Sequence, residues 1–308
     1  MSSGVPPRQS PIEKWYASRS QPGQSAATEG HDDGLRIAIQ GEPGSFSHEA
    51  ATRLEPSARI VPFSLSADVF GALAGGSVDA AVIPIENSLA GSVSEHFDLL
   101  LAHDVRVERE TLLRIRHNLI AFPGAAVADV VRVFSHPVAL AQCRRYLAAH
   151  PAMEAFSFYD TAGSVKHLME LRDRGAAAIA SQAAARHYGA TVLEADIEDN
   201  PENYTRFFFV RRTRDSVPDP AAGKISLAFS VENRPGSLVA ALAELSSLGT
   251  NLTKIESRPV HGKPWEYIFY VDAQIRSAGE GRRAIQALQP HCAMIKELGC
   301  YREVEAQP

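Results

Sequence analysis

Cysteine is scarce in this chain, and the sequence contains neither a long apolar run nor a block of basic residues. The three cysteines, Cys143, Cys292 and Cys300, lack metal-binding spacing and fit a reducing compartment without structural disulfides. The apolar stretches are far too short to span a bilayer. With 31 Lys and Arg against 36 Asp and Glu, the net charge of -5 argues against a nucleic-acid surface. We therefore expect a cytoplasmic protein that binds neither nucleic acid nor membrane.

The length of 308 residues favours two domains or three lobes. Residues 1–33 are rich in Ser, Gln, Gly and Pro and show no periodicity, so we interpret them as a disordered tail. They contain no apolar segment of the kind that a secretory signal needs, and Glu13, Glu29, Asp32 and Asp33 argue against a transit peptide.

Apolar segments of strand length alternate with helical patterns from residue 35 to about residue 190, which predicts a parallel sheet with helices on both faces. Small polar residues follow the predicted strands, where open α/β sheets place their ligands. They are Ser45 in a Gly-rich turn, Glu86, Asn87 and Ser88 after the strand Asp79–Ile85, and Thr161, Ser181 and Gln182 at later junctions. Together they predict a cleft for a small anion, although each alone could equally be a helix cap. We interpret His136 as a cap or packing residue rather than a catalytic one.

The stretch Asn203–Val210 runs from polar residues into an apolar strand. Thr205 supplies a hydroxyl whose position the backbone fixes, and Arg206 supplies a planar guanidinium that matches a carboxylate. Taken alone, the stretch is more typical of a surface turn that enters a core strand. Together with the polar junctions upstream, it predicts part of an anion-binding site.

Residues 224–303 have the pattern of a second, smaller module, which a proline-containing linker at 214–223 connects to the first. Four predicted strands lie near residues 225–231, 252–260, 266–275 and 294–298, and a turn is predicted at 261–263. One helix follows Gly236 and another begins near Glu280. The order βαββαβ predicts a ferredoxin-like sandwich.

Taken in order, these segments resemble the prephenate dehydratase family, in its bacterial monofunctional form with a C-terminal ACT domain. The resemblance covers about residues 35–303, and the order of its short motifs is more specific than any one of them. The motifs of the larger part are Gly41–Ser47, Pro84–Ser88, Ser135–Cys143, Asp160–Ala162 and Thr205–Phe207. Those of the smaller part are Gly236–Val239, in which Ser237 replaces the alanine typical of the family, and Glu256–Pro259, which matches in full.

This resemblance implies an α/β catalytic domain of two lobes, similar to type II periplasmic binding proteins, with the site in the cleft between the lobes. The first lobe would comprise residues 35–117 and 191–213, and the second residues 118–190, within a catalytic domain of residues 34–213. A ferredoxin-like ACT regulatory domain at 224–303 would follow the linker. The implied reaction converts prephenate to phenylpyruvate with loss of water and carbon dioxide, and it needs no cofactor and no metal.

Roles for individual residues also follow from the resemblance. Thr205 would donate a hydrogen bond to the departing oxygen, and Arg206 would either anchor the pyruvyl carboxylate or act indirectly by shaping the site. The other expected catalytic residues are Glu86, Asn87 and Ser88. The expected substrate-binding residues are Ser45, Thr161, Ser181, Gln182, Asn203 and Phe207, of which Phe207 is expected mainly to pack.

A phenylalanine effector is expected to bind the ACT domain and inhibit the enzyme. Its implied site consists of Gly236, Ser237, Leu238, Val239, Glu256, Ser257, Arg258 and Pro259. The resemblance also implies a homodimer or homotetramer, in which a second subunit helps to close this site. Two alternatives stay open: an arogenate dehydratase, which performs the same chemistry on the transaminated substrate, and a non-catalytic amino-acid sensor.

Overall fold

The computed structural model describes residues 34–217, 219–260 and 265–304. The predicted tail at 1–33 and the predicted turn at 261–263 lie outside the described residues. Within the described ranges, no helix combines the length and the apolar character that crossing a membrane requires.

Strands and helices alternate along most of the described chain. The strands are β1 (Arg36–Gln40), β2 (Arg59–Phe63), β3 (Ala80–Asn87), β4 (Gly91–Ser92), β5 (Val105–Arg114), β6 (Asn118–Ala121), β7 (Arg132–Ser135), β8 (Glu154–Ser157), β9 (Ala176–Ala180), β10 (Thr191–Glu194), β11 (Tyr204–Arg212), β12 (Lys224–Ser230), β13 (Asn251–Pro259), β14 (Tyr267–Gln274) and β15 (Met294–Tyr301). The helices are α1 (Phe46–Leu54), α2 (Ser66–Gly75), α3 (Ser94–Ala102), α4 (Pro137–Gln142), α5 (Arg144–Ala149), α6 (Thr161–Leu171), α7 (Gln182–Tyr188), α8 (Ser237–Ser247) and α9 (Ala278–Leu288).

These strands form two sheets, and the predicted α/β class is confirmed. The larger sheet has the order β13-β14-β12-β15-β5-β11-β3-β1-β2, with β4 paired to β3, and the smaller has the order β10-β6-β9-β7-β8. Strand β1 lies parallel to β2 and β3, whereas β11 is antiparallel to both of its neighbours, β3 and β5. The chain therefore builds strands β1 to β5 of the larger sheet, then all five strands of the smaller sheet, and returns to the larger sheet with β11.

Two details differ from the sequence-based expectation. Strand β10 pairs with β6 in the smaller sheet, so residues 191–194 belong to the second lobe and the predicted boundary at residue 190 is wrong. Strand β5 was not predicted, because five of its ten residues are charged and charged residues are uncommon in buried strands. In the structure, β15 and β11 flank β5 on its two edges.

Strand β11 is buried on both of its faces. Phe207 and Phe209 pack in the apolar cluster that contains Ile37 and Ile39, whereas Phe208 and Val210 pack in the cluster on the opposite side. Because successive side chains of a strand point to opposite faces, Thr205 shares the face of Phe207. The same alternation puts the Arg206 side chain on the face of Phe208.

The C-terminal strands and helices have the predicted βαββαβ order, with sheet order β13-β14-β12-β15. Helices α8 and α9 contribute to an apolar cluster with the sheet, in which Leu227 and Leu245 are fully buried. The opposite face of these C-terminal strands packs against α3. Tyr270 and Leu298 of the strands lie in the same apolar cluster as Phe97 of that helix. The ferredoxin-like architecture is confirmed.

The C-terminal strands β12 to β15 do not form a sheet of their own but continue the larger sheet. Strand β15 pairs in parallel with β5, with Gly299 opposite Val107. A Cβ atom at Gly299 would lie 2.3 Å from the main-chain oxygen of Val107, so this contact requires glycine. Lys296 of β15 also donates to the main-chain oxygens of Leu100 and Leu101, at the C-terminal end of α3.

Two segments carry the chain between the two sheets, and they lie side by side. The amide of Ile115 donates to the main-chain oxygen of Asn203 at 2.7 Å, and the amide of Ile197 donates to that of His117 at 2.8 Å. This pairing returns the chain to the first lobe at Asn203. It therefore delivers Thr205 directly to the edge of the cleft.

Candidate active site

Thr205 and Asn87 lie opposite each other on the antiparallel strands β11 and β3. Asn87 Nδ2 donates a 2.9 Å hydrogen bond to Thr205 Oγ1. The orientation of this amide is fixed, because Asn87 Oδ1 accepts from the amides of Leu89 and Ala90 at 3.0 and 2.8 Å. Thr205 Oγ1 thus acts as an acceptor toward Asn87, and its own proton remains available to a ligand.

Polar side chains extend this contact toward the second lobe. Asn87 Nδ2 also donates to Asn203 Oδ1 at 2.7 Å, and Asn203 Nδ2 donates to Gln142 Oε1 at 3.0 Å. His117 Nε2 lies 2.8 Å from the same oxygen. We call Thr205, Asn87, Asn203, Gln142 and His117 the amide chain. It runs from β11 through the segment between the lobes to the end of α4.

The amide chain fixes the tautomer of His117. Gln142 Oε1 accepts from Asn203, so His117 Nε2 must carry the proton that it donates to this oxygen. His117 is 2% exposed, and its Nδ1 has no hydrogen-bond partner among the described residues. Burial lowers the pKa of His117, against the opposing effects of Gln142 and Glu198. The imidazole is therefore neutral at physiological pH, with an unprotonated Nδ1.

The Gly-rich turn after β1 meets the second lobe directly. Ser45 caps α1 by accepting from the amide of His48, and Ser181 caps α7 by accepting from the amide of Ala184. Ser181 Oγ in turn donates to the main-chain oxygen of Gly44 at 2.7 Å. The N-terminal ends of a first-lobe helix and a second-lobe helix therefore come together at this point, as the predicted cleft requires.

A second set of contacts joins the same turn to α6. Glu42 accepts hydrogen bonds from Tyr159 at 2.7 Å and from Lys166 at 2.9 Å. Asp160 caps α6 by accepting from the amide of Gly163 at 2.7 Å. Loss of hydration and the nearby charge of Glu42 raise the pKa of Asp160 to about 6, although hydrogen bonds from backbone amides act in the opposite direction.

Arg206 does not lie with Thr205. Its guanidinium donates to Glu110 of β5 and, in the C-terminal module, to Asp272 and, at 2.9 Å, to Tyr301. Strand alternation is the physical reason. The expectation that Arg206 anchors a substrate carboxylate is therefore wrong for this arrangement, and only the indirect role remains.

The remaining candidates lie at different places around the cleft and in the core. Glu86 faces the C-terminal module, where it accepts from Lys254 at 2.9 Å, and its catalytic role stays a prediction. Ser88 holds the start of β11, because its hydroxyl accepts from the amide of Tyr204. Phe207 is buried in the core, as its packing role predicted. Thr161 is the first residue of α6, and Gln182 is exposed at the start of α7.

Sequence reasoning assigned no role to Gln142, His117, Glu42 or Tyr159. Gln142 lies within the motif Ser135–Cys143, which supported the family resemblance, so its place in the site could have been predicted from that motif. His117 carried none, because a lone histidine between two strands is usually a packing residue. His136 caps α4 by accepting from the amide of Val138, as predicted.

A pocket of about 400 Å³ lies at the start of α8. Gly236 precedes this helix in the left-handed region at φ 85°, with no side-chain cap on the helix. Ser237 Oγ is buried and finds no hydrogen-bond partner within the part of the chain that the structure describes. Gly236 and Ser237 line the pocket, whereas Glu256, Ser257, Arg258 and Pro259 on strand β13 do not. Arg258 instead pairs with Asp98 of α3.

Comparison with known proteins gives the family. The model described as prephenate dehydratase matches residues 37–215, and the model described as ACT domain matches residues 225–288. Arogenate dehydratase/prephenate dehydratase 2, chloroplastic, of Arabidopsis thaliana is 38% identical over 277 residues, which cover 87% of this chain and 72% of that protein.

Two solved structures resemble the described fold. Prephenate dehydratase from Arthrobacter aurescens in complex with L-Phe has a TM-score of 0.81 and 31% identity, and the match covers 89% of this chain and 92% of that chain. A protein described as GqqA, a novel type of quorum quenching acylase, has a TM-score of 0.80 and 31% identity, covering 87% and 98%. From the motifs, the two-sheet fold and these matches, we conclude that the chain belongs to the prephenate dehydratase family of hydro-lyases and carries a C-terminal ACT domain.

Proposed function

We propose that this enzyme converts prephenate to phenylpyruvate and is inhibited by phenylalanine. The observation that carries the proposal is the orientation of the Thr205 hydroxyl. Its oxygen accepts from Asn87 at 2.9 Å, and its proton finds no acceptor in the described ranges of the chain. A preorganised donor of this kind stabilises an oxygen on which negative charge develops.

In the proposed reaction, two bonds of prephenate break. The ring carboxylate leaves as carbon dioxide, and the electron pair of its bond to the ring completes the aromatic ring. The electron pair of the carbon–oxygen bond leaves with the ring hydroxyl, which departs as hydroxide and takes a proton from water. Thr205 donates its hydrogen bond to this departing oxygen, where charge grows most in the transition state.

The pyruvyl carboxylate needs donors other than Arg206, since that guanidinium is already paired with Glu110 and Asp272. Gln142 Nε2 has no hydrogen-bond partner among residues 34–217, 219–260 and 265–304, although Gln142 Oε1 belongs to the amide chain. The free amides at the start of α1, beside Ser45, provide a second group of donors. We assign the carboxylate to these neutral donors.

The choice between prephenate and arogenate is decided by assay. The pure protein is incubated with each substrate in parallel, and phenylpyruvate is followed by its absorbance in alkali while phenylalanine is measured by chromatography. We expect the larger kcat/KM with prephenate. A preference for arogenate would correct the substrate, and turnover of neither would leave the amino-acid sensor as the function.

Acyl hydrolysis, which the resemblance to the acylase raises, receives less support from the site. Ser66 and His96 form a serine–histidine contact, with Oγ 3.0 Å from Nε2. Both residues are at most 1% exposed, and His96 Nδ1 is occupied by the main-chain oxygen of Pro84. A buried pair of this kind offers a substrate no access, so we treat it as structural.

The phenylalanine site is proposed at the pocket beside Gly236. The uncapped amides at the start of α8 would take the effector's carboxylate, and Ser237 Oγ supplies a buried hydroxyl that pairs with no other described residue. Apart from Gly236 itself and its chain neighbours, no described atom lies within 4 Å of the position that a Cβ would occupy there, so a ligand can approach the backbone. Residues Glu256–Pro259 lie on the edge strand β13, and a second subunit of the proposed homo-oligomer would bring that strand to the pocket.

A further inference from the structure

A buried cluster of polar side chains joins the Thr205 strand to the ACT domain. We call it the Arg206 cluster, and each member is at most 9% exposed. Its members are Arg206 and Glu110 from the catalytic strands β11 and β5, and Lys224, Ser226, Asp272 and Tyr301 from the ACT strands β12, β14 and β15. Arg206 is the immediate neighbour of the proposed oxyanion donor Thr205.

Hydrogen bonds close this cluster into a ring. Arg206 Nε donates to Glu110 Oε2 at 2.7 Å, Nη2 donates to Tyr301 Oη at 2.9 Å, and Nη1 donates to Asp272 Oδ2. Because Tyr301 Oη accepts from Arg206, its own proton goes to Ser226 Oγ at 2.5 Å. Ser226 Oγ then donates to Asp272 Oδ1 at 2.5 Å. All three guanidinium nitrogens are thus engaged, two of them by the ACT domain.

The charges of the cluster balance, which ties its two halves together. Arg206 and Lys224 face Glu110 and Asp272, and Lys224 Nζ donates to Glu110 Oε1 at 2.9 Å. Separating a buried ion pair leaves each charge unpaired away from water, which is strongly unfavourable. A displacement of the ACT strands β14 and β15 must therefore move Arg206 with them or break this network.

The ladder beside Arg206 is irregular toward β3, whereas toward β5 the residues from Tyr204 to Phe209 pair in regular register. Arg206 pairs with Glu86 and Phe207 pairs with Pro84, so Ile85 of β3 is passed over at a bulge. Pro84 has no N–H to donate to its partner strand. Bulges of this kind re-aim the side chains beside them. Thr205 is therefore held by its backbone pairing with β5 and by side-chain anchors on either face of β11, which are the amide chain and the Arg206 cluster.

We propose that Asp272 and Tyr301 of the ACT domain are positioning residues for Thr205, and that the Arg206 cluster transmits phenylalanine inhibition to the catalytic strand. This inference rests on the proposed function. Effector binding can inhibit only if it favours one of two arrangements of the enzyme. The cluster provides the connection, because the neighbour of the catalytic hydroxyl is bonded to the module that binds the effector.

The test uses the full-length protein and two matched substitutions. Tyr301→Phe removes only the hydroxyl that bonds to Arg206 and Ser226. Tyr270→Phe is the control, because Tyr270 is a buried tyrosine of the same interface that packs 4.9 Å from the Phe97 ring and takes no part in the cluster. For each protein, kcat and KM for prephenate, phenylalanine binding by calorimetry, and the residual rate at saturating phenylalanine are measured.

We expect Tyr301→Phe to lower kcat on the order of tenfold with little change in KM, since a bond to a charged group is lost and substrate contacts are kept. The variant should still bind phenylalanine but lose most of the inhibition, whereas Tyr270→Phe should match the wild type. A Tyr301→Phe enzyme with wild-type kcat and inhibition, or a control with the same defects, overturns the proposal.

Thermal unfolding of both variants precedes the kinetics. If Tyr301→Phe does not fold, Ser226→Ala makes the same test, because it removes only the hydroxyl between Tyr301 and Asp272. Measurements on the wild type distinguish a failure of the proposed function from a failure of this inference. A wild-type enzyme that makes no phenylpyruvate, or is not inhibited by phenylalanine, contradicts the proposed function, whereas an active and inhibited wild type with unaffected variants contradicts this inference alone.

Discussion

Ser181 Oγ donates a 2.7 Å hydrogen bond to the main-chain oxygen of Gly44, and this contact joins the two sheets at the cleft. Gly44 has φ 85°, and a Cβ atom there would lie 2.7 Å from the Cα atom of Ala184 in α7. The backbone of the first lobe therefore rests directly on a second-lobe helix. A glycine sets the distance between the lobes at this point.

Gly44→Ala should push the lobes apart and lower kcat/KM about 100-fold, because small displacements of positioning groups are costly in catalysis. Steady-state kinetics with prephenate measure the effect. Gly189→Ala is the matched control, since Gly189 also has a positive φ, of 70°, but no described atom beyond its own residue and its chain neighbours lies within 4 Å of the added Cβ. Equal losses in the two variants would attribute the effect to backbone strain instead of lobe spacing.

Thr205→Ala should lower kcat by on the order of 10²–10³, the usual loss when a single oxyanion donor is removed. Thr205→Ser keeps the hydroxyl that accepts from Asn87 and should recover most of the rate. Initial rates of phenylpyruvate formation at saturating prephenate distinguish the variants. A Thr205→Ala enzyme with near-normal kcat would remove Thr205 from the mechanism.

Asn203→Asp should reverse the hydrogen-bond directions at the Gln142 and His117 end of the amide chain. The new carboxylate still accepts from Asn87, but it also needs a donor from Gln142, so the Gln142 amide must turn its Nε2 toward both this carboxylate and His117. His117 would then accept on Nε2 and carry its proton on Nδ1.

Nitrogen NMR of the imidazole should show the Nε2–H tautomer of His117 in the wild type and the Nδ1–H tautomer in Asn203→Asp. We expect kcat to fall as well, because the added negative charge lies close to Thr205. An unchanged tautomer in the variant would contradict the hydrogen-bond directions assigned to the amide chain.

Asp160 should make stability depend on pH. Its folded-state pKa is raised from 3.8 to about 6, so the folded protein binds a proton that the unfolded chain releases. The stability that this proton contributes is fully present below pH 3.8 and is lost as pH rises through about 6. Asp160→Asn removes this titration, so the melting temperature of the variant relative to wild type should rise between about pH 4 and about pH 7. A constant difference over that interval would contradict the raised pKa.

Gly236→Val should fill the pocket at the start of α8 and abolish phenylalanine binding and inhibition, while the uninhibited rate stays close to wild type. Calorimetric titration with phenylalanine and steady-state rates measure the two effects. Gly249→Val is the control at the other end of the same helix, because Gly249 also has a positive φ, of 72°, and open space around it. Loss of binding in both variants would indicate a damaged helix, and normal binding in Gly236→Val would place the effector elsewhere.

The sequence predicted those features whose cause is local. Apolar periodicity predicted the alternating strands and helices, and Ser45 and Ser181 were found at helix starts, with a hydrogen bond between Ser181 and the Gly44 turn that joins the two lobes. The position of Arg206 could also have been inferred, because adjacent residues of a strand face opposite sides. The run Phe207–Val210 concealed this alternation, since β11 is apolar on both faces.

The features that could not be predicted depend on contacts between residues far apart in the sequence. The tautomer of His117 depends on its hydrogen bond to Gln142, 25 residues away, and the orientation of the Gln142 amide depends on Asn203, 61 residues away. Strand β5 has too many charges to be predicted as buried, and Glu110 finds its partner Lys224 only 114 residues later. Such pairs leave no periodic trace in a single sequence.

The order of synthesis gives the Arg206 cluster a further consequence. Arg206 leaves the ribosome 66 residues before Asp272 and 95 residues before Tyr301. A nascent chain therefore completes every catalytic strand while two partners of Arg206 have not yet been made. The catalytic strand gains its full set of contacts only when β15 takes its place beside β5. A chain that ends before residue 272 therefore lacks two of the partners of Arg206 together with part of the effector module.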